Sequence, residues 1–398
     1  MYARHRLDIG LAGLAAIAAV HPWLARPEPD GPGSLRCLSV RSGFHLLLRA
    51  LDLRAGDEVV FSALTHPDLP RLAEHHGLVP VPVDLDPRTL APDPALLEAA
   101  LSPRTRLVVV AHLFGGLVDL EPAAALAGRA GALLVEDRAQ AYAGPGDDGD
   151  ARAAVSMFSF GLLKTATAVG GAVLHVRDER LLAAMRAVQA GWPRQEEAEH
   201  LAAAGRCAAL VAAGRPLPYR LLAACHRAAC RDLDTLVNGA VRAFPAAGGT
   251  ELVRRLERRP SRSLLLTMDR RRRRFDAGRL ARRAAAGEAA MRQLPPGLLH
   301  PGDAMLRRTH WLFPVVAADP DEVVVRARFF GFDAARAASN LHAVPAPPDR
   351  PRLTPLNARR ILDGLVYLPM YPEVPEAARR RLLTEVLSRV SERRPALR

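Results

Sequence analysis

The amino-acid sequence predicts an α/β protein built around a mostly parallel β-sheet with helices on both of its faces. Over residues 57–176, short apolar runs alternate with helix-like segments. Most of these runs lack polar alternation and are rich in Val and Leu, which is typical of strands buried on both faces. The predicted strands are Glu58–Ser62, Leu78–Val83, Leu107–His112, Ala132–Glu136, Val155–Phe160 and Gly171–Val176.

Helices are predicted before and between these strands, at Phe44–Leu51, Leu69–His76, Pro94–Leu101 and Glu121–Ala130. This alternation of strands and helices produces a parallel sheet. Because functional groups gather at the carboxyl ends of the strands in such sheets, side chains that follow the strands are the first candidates for a site.

The chain is long enough for more than one domain, with 398 residues of which 49% are hydrophobic. We expect an N-terminal helical segment (residues 1–34), a large α/β domain (residues 35–260) with a helical insertion (residues 192–258), and a smaller C-terminal α+β domain (residues 261–398). The small domain is predicted to contain a strand at His310–Val316 and a closing helix at Glu376–Val390.

Composition restricts the class of protein. The apolar run Ile9–Val20 has a basic flank like that of a signal peptide, but it is too short to span a bilayer. We expect it to form a buried or amphipathic helix that ends near Pro22. The four cysteines are too few and too irregularly spaced for a disulfide framework or a zinc site: Cys37, Cys207, Cys225 and Cys230. We therefore expect a cytoplasmic protein without a metal.

The formal net charge of +13 fits either a nucleic-acid binder or an enzyme that handles anions. The basic residues are spread along the chain, and the dense run Arg270–Arg274 fits a solvated helix face. Three Trp, five Tyr and eleven Phe offer few rings for stacking on bases, so nucleic-acid binding is the weaker alternative.

Lysine is nearly absent, because 54 of the 55 cationic residues are Arg and only Lys164 is Lys. An arginine neither loses its proton readily nor forms an imine, whereas a lysine amine does both. Codon bias would also explain the arginine excess. The position of Lys164, just beyond the predicted strand Val155–Phe160, favours a chemical role.

Two further polar side chains follow the strand Ala132–Glu136. Asp137 lies at the same sheet edge as Lys164, where its carboxylate can pair with a pyridinium nitrogen. An N-cap is the structural alternative for Asp137. Gln140 can hydrogen-bond a phenolic oxygen of a cofactor or serve in a local turn.

Candidate phosphate ligands surround the same edge. They are the hydroxyls of Ser159, Thr165 and Thr167 and the backbone N–H groups at the helix start Ser39–Gly43, which carries Arg41 and Ser42. His66 follows the strand Glu58–Ser62, where its ring can lie on a pyridine face. Serine capping and a surface histidine are the simpler interpretations of these two features.

Several motifs match a known family in order and spacing. They are Gly-Asp-Glu-Val (56–59), Pro-Val-Pro-Val-Asp-Leu-Asp (80–86), His-Leu-Phe-Gly (112–115), Glu-Asp-Arg-Ala-Gln-Ala (136–141), Phe-Ser-Phe-Gly-Leu-Leu-Lys (158–164), Gly-Phe-Asp (331–333) and Tyr-Leu-Pro-Met-Tyr-Pro (367–372). The sequence resembles the DegT/DnrJ/StrS aminotransferases, which are fold-type I enzymes dependent on pyridoxal 5'-phosphate (PLP). The resemblance is strongest over residues 39–186.

The resemblance implies a role for each candidate. Lys164 would hold PLP as a Schiff base, Asp137 would face the pyridinium nitrogen, and Gln140 would contact the ring oxygen. The remaining cofactor contacts would be Ser159 and the backbone at Arg41 and Ser42 for the phosphate, and His66 for the ring. A homodimer is also implied. This chain departs from the family pattern at Val40-Arg41, at His66 and over residues 192–258.

The predicted reaction moves an amino group from glutamate or glutamine to a keto group of a nucleotide-linked sugar, as in polysaccharide biosynthesis. Two alternatives stay open: another PLP reaction on a sugar, such as elimination or dehydration, and a catalytically silent binding module with the same fold. The insertion 192–258 is predicted to form amphipathic helices that act as a lid or docking surface, and peripheral membrane contact stays open.

Overall fold

A computed structural model describes residues 1–19, 26–229, 233–241, 249–336, 340–388 and 390. Several sequence predictions fall partly outside the described residues. These are the end of the N-terminal apolar run at Val20 with Pro22, the cysteine Cys230, and segments of the insertion 192–258 and of the closing helix.

The described residues contain fourteen strands. They are β1 (Ser34–Cys37), β2 (Glu58–Ser62), β3 (Leu64–Thr65), β4 (Val79–Val83), β5 (Thr105–Ala111), β6 (Gly116–Leu117), β7 (Leu133–Asp137), β8 (Val155–Ser159), β9 (Ala172–Val176), β10 (Leu298–Leu299), β11 (Arg307–Arg308), β12 (Phe313–Ala317), β13 (His342–Ala343) and β14 (Leu365–Leu368).

Fifteen α-helices lie within the same described ranges. They are α1 (Leu11–Ala18), α2 (Val40–Ala50), α3 (Asp68–His75), α4 (Pro94–Ala100), α5 (Glu121–Arg129), α6 (Glu179–Ala190), α7 (Glu197–Ala213), α8 (Pro216–Ala228), α9 (Leu233–Val241), α10 (Gly249–Leu256), α11 (Arg262–Arg273), α12 (Ala277–Met291), α13 (Pro320–Phe329), α14 (Leu356–Gly364) and α15 (Glu376–Arg381). A 3₁₀ turn at Pro351–Leu353 precedes α14, and a π-helical turn at Leu382–Val386 follows α15.

The central sheet has seven strands in the order β1-β9-β8-β7-β5-β2-β4. Strands β4, β2, β5, β7 and β8 pair in parallel, whereas β9 runs antiparallel to both β8 and β1. The predicted α/β class and the mostly parallel sheet are therefore confirmed. The six predicted strands all form, each within two residues of its expected ends.

The sheet is buried on both faces, as the apolar strand runs predicted. Alternate residues of β5 enter opposite cores: Val108 and Val110 pack with α4 and α5, while Leu107 and Val109 pack with α2, α3 and α6. This alternation follows from the two-residue period of a strand. The helices cover both faces of the sheet, and a cavity opens at the carboxyl ends of β5, β7 and β8.

A second, antiparallel sheet has the order β10-β12-β14 and packs against α13 in a separate core. The predicted strand at His310–Val316 begins later, at Phe313, and the predicted closing helix appears as α15 with its π-helical turn. The division into three regions stays a prediction. Among the residues that the structure describes, none of the helices combines the length and apolar character needed to cross a membrane.

Candidate active site

Lys164 lies in the turn after β8, where its backbone N–H donates to the Gly161 carbonyl at 2.9 Å. Its side chain lines a cavity of about 210 Å³ at the carboxyl ends of β5, β7 and β8. Burial lowers the pKa of Lys164 to about 8; the Asp137 carboxylate opposes this shift, and the Arg41 guanidinium adds to it. An ordinary lysine has a pKa near 10.4, so this amine is far more often neutral at physiological pH.

Asp137 is the last residue of β7 and lines the same cavity. Burial raises the pKa of Asp137, while the Ala139 N–H and the charge of Lys164 act in the opposite direction. Within the described part of the chain, its carboxylate accepts one hydrogen bond, from the Ala139 backbone N–H to Oδ1 at 2.9 Å. The other carboxylate oxygen, Oδ2, can therefore accept a hydrogen bond from a ligand.

Gln140 also lines the cavity, and its orientation is fixed by a hydrogen bond. Its Oε1 accepts the backbone N–H of Phe114 at 2.8 Å. Phe114 has φ +57°, so its N–H is held in a tight turn after β5. Because the amide oxygen is used in this contact, the amide NH₂ group is the part of Gln140 that can donate to a ligand.

His66 lines the cavity beside Arg41. Burial, with a further contribution from the positive charge of Arg41, lowers the pKa of His66 to about 4. The ring is therefore neutral at physiological pH, and its Nδ1 accepts the backbone N–H of Asp68 at 3.2 Å. A neutral, anchored imidazole can pack on a flat ring without adding charge.

The predicted phosphate ligands divide into two groups. Ser39, Arg41 and Ser159 line the cavity. The buried Ser42 does not: its hydroxyl donates to the Leu256 carbonyl at 2.6 Å, and its N–H is capped by Ser39 Oγ. A cofactor contact for Ser42 stays a prediction that this geometry does not support.

The two threonine hydroxyls predicted as phosphate ligands also lie elsewhere. Thr165 accepts a hydrogen bond from Arg283, and Thr167 donates to the Phe160 carbonyl. Arg41 itself contacts Asp68, with Nη1 2.8 Å from Oδ2.

Sequence reasoning missed several side chains that line the cavity. Four of them are Thr65, Asn238, Trp311 and Asn340, none of which the sequence analysis singled out as a site residue. Thr65 carries a buried hydroxyl that makes no hydrogen bond within the described residues, so a ligand oxygen would satisfy it. The Lys164 Nζ lies 4.1 Å from the centroid of the Trp311 ring.

The insertion 192–258 reaches this cavity through Asn238, which belongs to α9. Helix α9 is tied to the rest of the protein by Asp234, which accepts a 2.5 Å hydrogen bond from Arg328. This placement is compatible with the lid predicted from sequence. Helix α8 instead exposes Leu217 and Leu221 to solvent.

Comparison with known proteins gives a consistent result. A model of the DegT/DnrJ/EryC1/StrS aminotransferase family matches residues 33–213. The GDP-perosamine synthase of Caulobacter vibrioides is 35% identical over 159 residues, which is 38% of this chain and 42% of that protein. The L-glutamine:2-deoxy-scyllo-inosose aminotransferase of Streptoalloteichus tenebrarius is 35% identical over 184 residues, which is 44% of this chain and 39% of that protein. The chain thus spans less than half the length of these relatives.

Solved structures extend the likeness in fold to nearly the whole chain. The aminotransferase TlmJ of Streptoalloteichus hindustanus superposes with a TM-score of 0.67 at 20% identity, covering 97% of this chain and 98% of that one. NtdA of Bacillus subtilis, solved with bound cofactor PMP, superposes with a TM-score of 0.62 at 17% identity. The superposition covers 96% of this chain and 79% of that one. The predicted fold of PLP-dependent transferases is confirmed.

Proposed function

Because residues 33–213 of this chain belong to the DegT/DnrJ/EryC1/StrS aminotransferase family, we propose that the protein transfers an amino group from glutamine or glutamate to a keto group of a nucleotide-linked sugar. The predicted resemblance is thereby confirmed, and PLP is the cofactor of this family's aminotransferases. The observation that supports the reaction best is that the sole lysine of the chain lies in one cavity with Asp137.

The donor set of the cavity fits PLP. A lowered lysine pKa suits an amine that must be neutral to attack an aldehyde, and a carboxylate with a spare oxygen suits a pyridinium N–H. The Gln140 amide and the Thr65 hydroxyl, which has no hydrogen-bond partner among the described residues, would supply polar contacts for the ring and its substituents. Ser159 Oγ and the backbone at Ser39–Arg41 would take the phosphate.

Bound PLP would supply an aldehyde that condenses with amines and a ring that withdraws electrons from the attached carbon. The chain supplies the proton transfers and the environment. Lys164, once its amine is free, would remove a proton from the substrate carbon and return it at the adjacent cofactor position. Asp137 would keep the ring nitrogen protonated, and the neutral His66 would cover one ring face and exclude water.

A keto-cyclitol is a second candidate acceptor. Relatives of this chain are named for amino transfer from glutamine to 2-deoxy-scyllo-inosose, whereas GDP-perosamine synthase is named for a nucleotide-linked sugar. The excess of arginine favours an anionic diphosphate and hence the nucleotide-linked class. A product assay therefore has to include both classes.

We also propose a cytoplasmic homodimer whose α8 surface makes peripheral contact with anionic membranes. The family resemblance supports the dimer. The free cysteines among the described residues, Cys37, Cys207 and Cys225, suit a reducing compartment. The exposed Leu217 and Leu221 beside Arg220 support the membrane contact.

The experiment that tests the reaction is mass spectrometry of products from keto-sugar nucleotides and keto-inososes, each mixed in turn with glutamine and with glutamate labelled at the α-nitrogen. We expect the label in an amine that replaces the keto oxygen of one nucleotide-linked substrate. Loss of oxygen without nitrogen gain would indicate a dehydratase instead. No change in any substrate by PLP-loaded protein would favour the silent binding module. Lys164→Arg serves as the inactive control.

A further inference from the structure

Trp311 contacts the Lys164 turn at two points, although it lies in the C-terminal part of the chain. Its indole Nε1–H donates a 2.7 Å hydrogen bond to the carbonyl of Leu163, the residue before Lys164. The face of the same ring lies 4.1 Å from the Lys164 Nζ. One side chain thus fixes the backbone of the turn and also contacts its reactive atom.

Backbone packing holds Trp311 in this position. Thr309 donates its N–H to the Gly115 carbonyl at 2.8 Å, continuing the pairing of β11 with β6. Gly115 has φ +88°, and a Cβ there would lie 2.5 Å from the Trp311 backbone nitrogen. Strand β12 begins two residues later at Phe313. The backbone at Trp311 is therefore held from both sides, and the hydrogen bond from its indole N–H to the Leu163 carbonyl fixes the ring.

The charges around the Lys164 amine make this contact chemically relevant. Asp137 attracts the ammonium form, whereas burial and Arg41 oppose it, and His66 faces the amine as a neutral ring. A cation above an indole face is attracted by the ring quadrupole, more strongly when water is excluded. Trp311 thus supplies an attraction that needs no counter-charge.

We propose that Trp311 is a positioning residue that seats the Lys164 amine whenever the amine is not bonded to the cofactor. This inference rests on the proposed function, in which Lys164 leaves the cofactor and returns to it in each cycle. A flexible lysine side chain has several rotamers, and the indole face selects the one that remains beside Asp137. The hydrogen bond from the indole N–H to the Leu163 carbonyl holds the Lys164 turn at the cavity.

The test measures the protonation of Lys164 in the full-length protein freed of cofactor. Trace acetylation with acetic anhydride at a series of pH values, followed by peptide mass spectrometry, gives the titration of a single side-chain amine, because the chain has one lysine. Wild type is compared with Trp311→Phe, which keeps a weaker ring face, and Trp311→Leu, which has none. Trp192→Leu is the matched control, because Trp192 stacks on His45 and does not line the cavity. Circular dichroism verifies that each variant is folded.

We expect the pKa of Lys164 to be highest in wild type, lower in Trp311→Phe and lowest in Trp311→Leu, because loss of the ring removes an attraction for the ammonium form. The total decrease in pKa should be about 0.5 to 1. The control should titrate like wild type. If Trp311 only excluded water, its removal would solvate the ammonium and raise the midpoint, and that result, or an unchanged midpoint in both variants, would overturn the proposal. Because acetylation needs neither cofactor nor substrate, its outcome is independent of whether the wild type transaminates.

Discussion

His112 donates a 2.9 Å hydrogen bond from Nε2 to Oε1 of Glu136, and both side chains are almost completely buried. The direction follows from the other ring nitrogen, because Nδ1 accepts the backbone N–H of Val118 at 3.1 Å. Glu136 also accepts from Ser156 Oγ at 2.7 Å and from the Asp150 N–H at 2.9 Å. This network lies directly behind Asp137 and fixes the end of β7.

The network predicts an acid-sensitive fold. Although burial by itself raises the pKa of Glu136, its hydrogen bonds, that of His112 above all, and the positive charge of Arg138 outweigh burial and lower it to about 2. A depressed folded-state pKa contributes stability above the unfolded value near 4.5, and this stability is lost as the pH falls toward 2. The loss should be on the order of 2–3 kcal/mol. Because other carboxylates such as Asp150 and Glu288 also have lowered pKa values, both proteins lose stability on acidification, but urea unfolding should show a steeper loss in wild type than in Glu136→Gln; equal pH slopes would contradict the account.

Gly171 tests the packing of the turn that follows Lys164. Its φ of +89° disfavours alanine, and a Cβ there would lie 2.4 Å from the buried Sδ of Met268. Gly56 has φ +87° with no neighbour of its Cβ within 4 Å. We expect Gly56→Ala to cost about 1–2 kcal/mol for backbone strain alone and Gly171→Ala about 1–3 kcal/mol more for overpacking. If denaturant unfolding gave the same loss of unfolding free energy for both variants, Met268 would be able to move aside without cost, contrary to this prediction.

The exposed face of α8 predicts binding to anionic lipid. Leu217 is 65% exposed and Leu221 is 58% exposed, one helical turn apart, with Arg220 between them. Replacing both leucines with glutamine should reduce flotation with vesicles that contain phosphatidylglycerol and leave enzymatic activity unchanged. Leu306→Gln is the control, because Leu306 is 73% exposed but lies outside α8. Absence of flotation by the wild type would refute the membrane contact.

Local sequence patterns predicted the strands of the large sheet because those strands are apolar on both faces. They missed β1, where Arg36 interrupts the apolar pattern. Arg36 is buried because its Nη1 lies 2.9 Å from Oδ1 of Asp269, a partner more than 200 residues away in the chain. A pairing at this separation leaves no trace in the local sequence.

The same distinction applies to the site. Lys164, Asp137 and Gln140 were found because each follows a recognisable strand and matches a family motif. Trp311 lies 148 residues from its hydrogen-bond partner Leu163, so no local pattern connects the two. Ser42 has the expected helix-start position, but its hydroxyl bonds the Leu256 carbonyl at the end of the helical insertion. Long-range packing determined this orientation.

Asp137→Asn tests the electrostatic support of the cofactor ring. The amide keeps the size of the side chain but cannot stabilise a protonated ring nitrogen, so we expect partial cofactor binding with activity reduced about 100-fold or more. Asp147→Asn is a control, because Asp147 is a largely buried carboxylate that pairs with Arg138 and does not line the cavity. Turnover by Asp137→Asn at the wild-type rate would remove Asp137 from the mechanism.

The central claim is that Lys164 is the residue that bonds the cofactor, and borohydride reduction followed by peptide mapping tests it most directly. Purified protein loaded with PLP should be yellow, and reduction should leave a pyridoxyl group on the peptide that contains Lys164. Lys164→Arg keeps the positive charge but offers no amine that can form an imine, so it should carry no label and should not transaminate. A PLP-loaded wild-type protein that yields no pyridoxyl label on Lys164 after reduction would contradict the account.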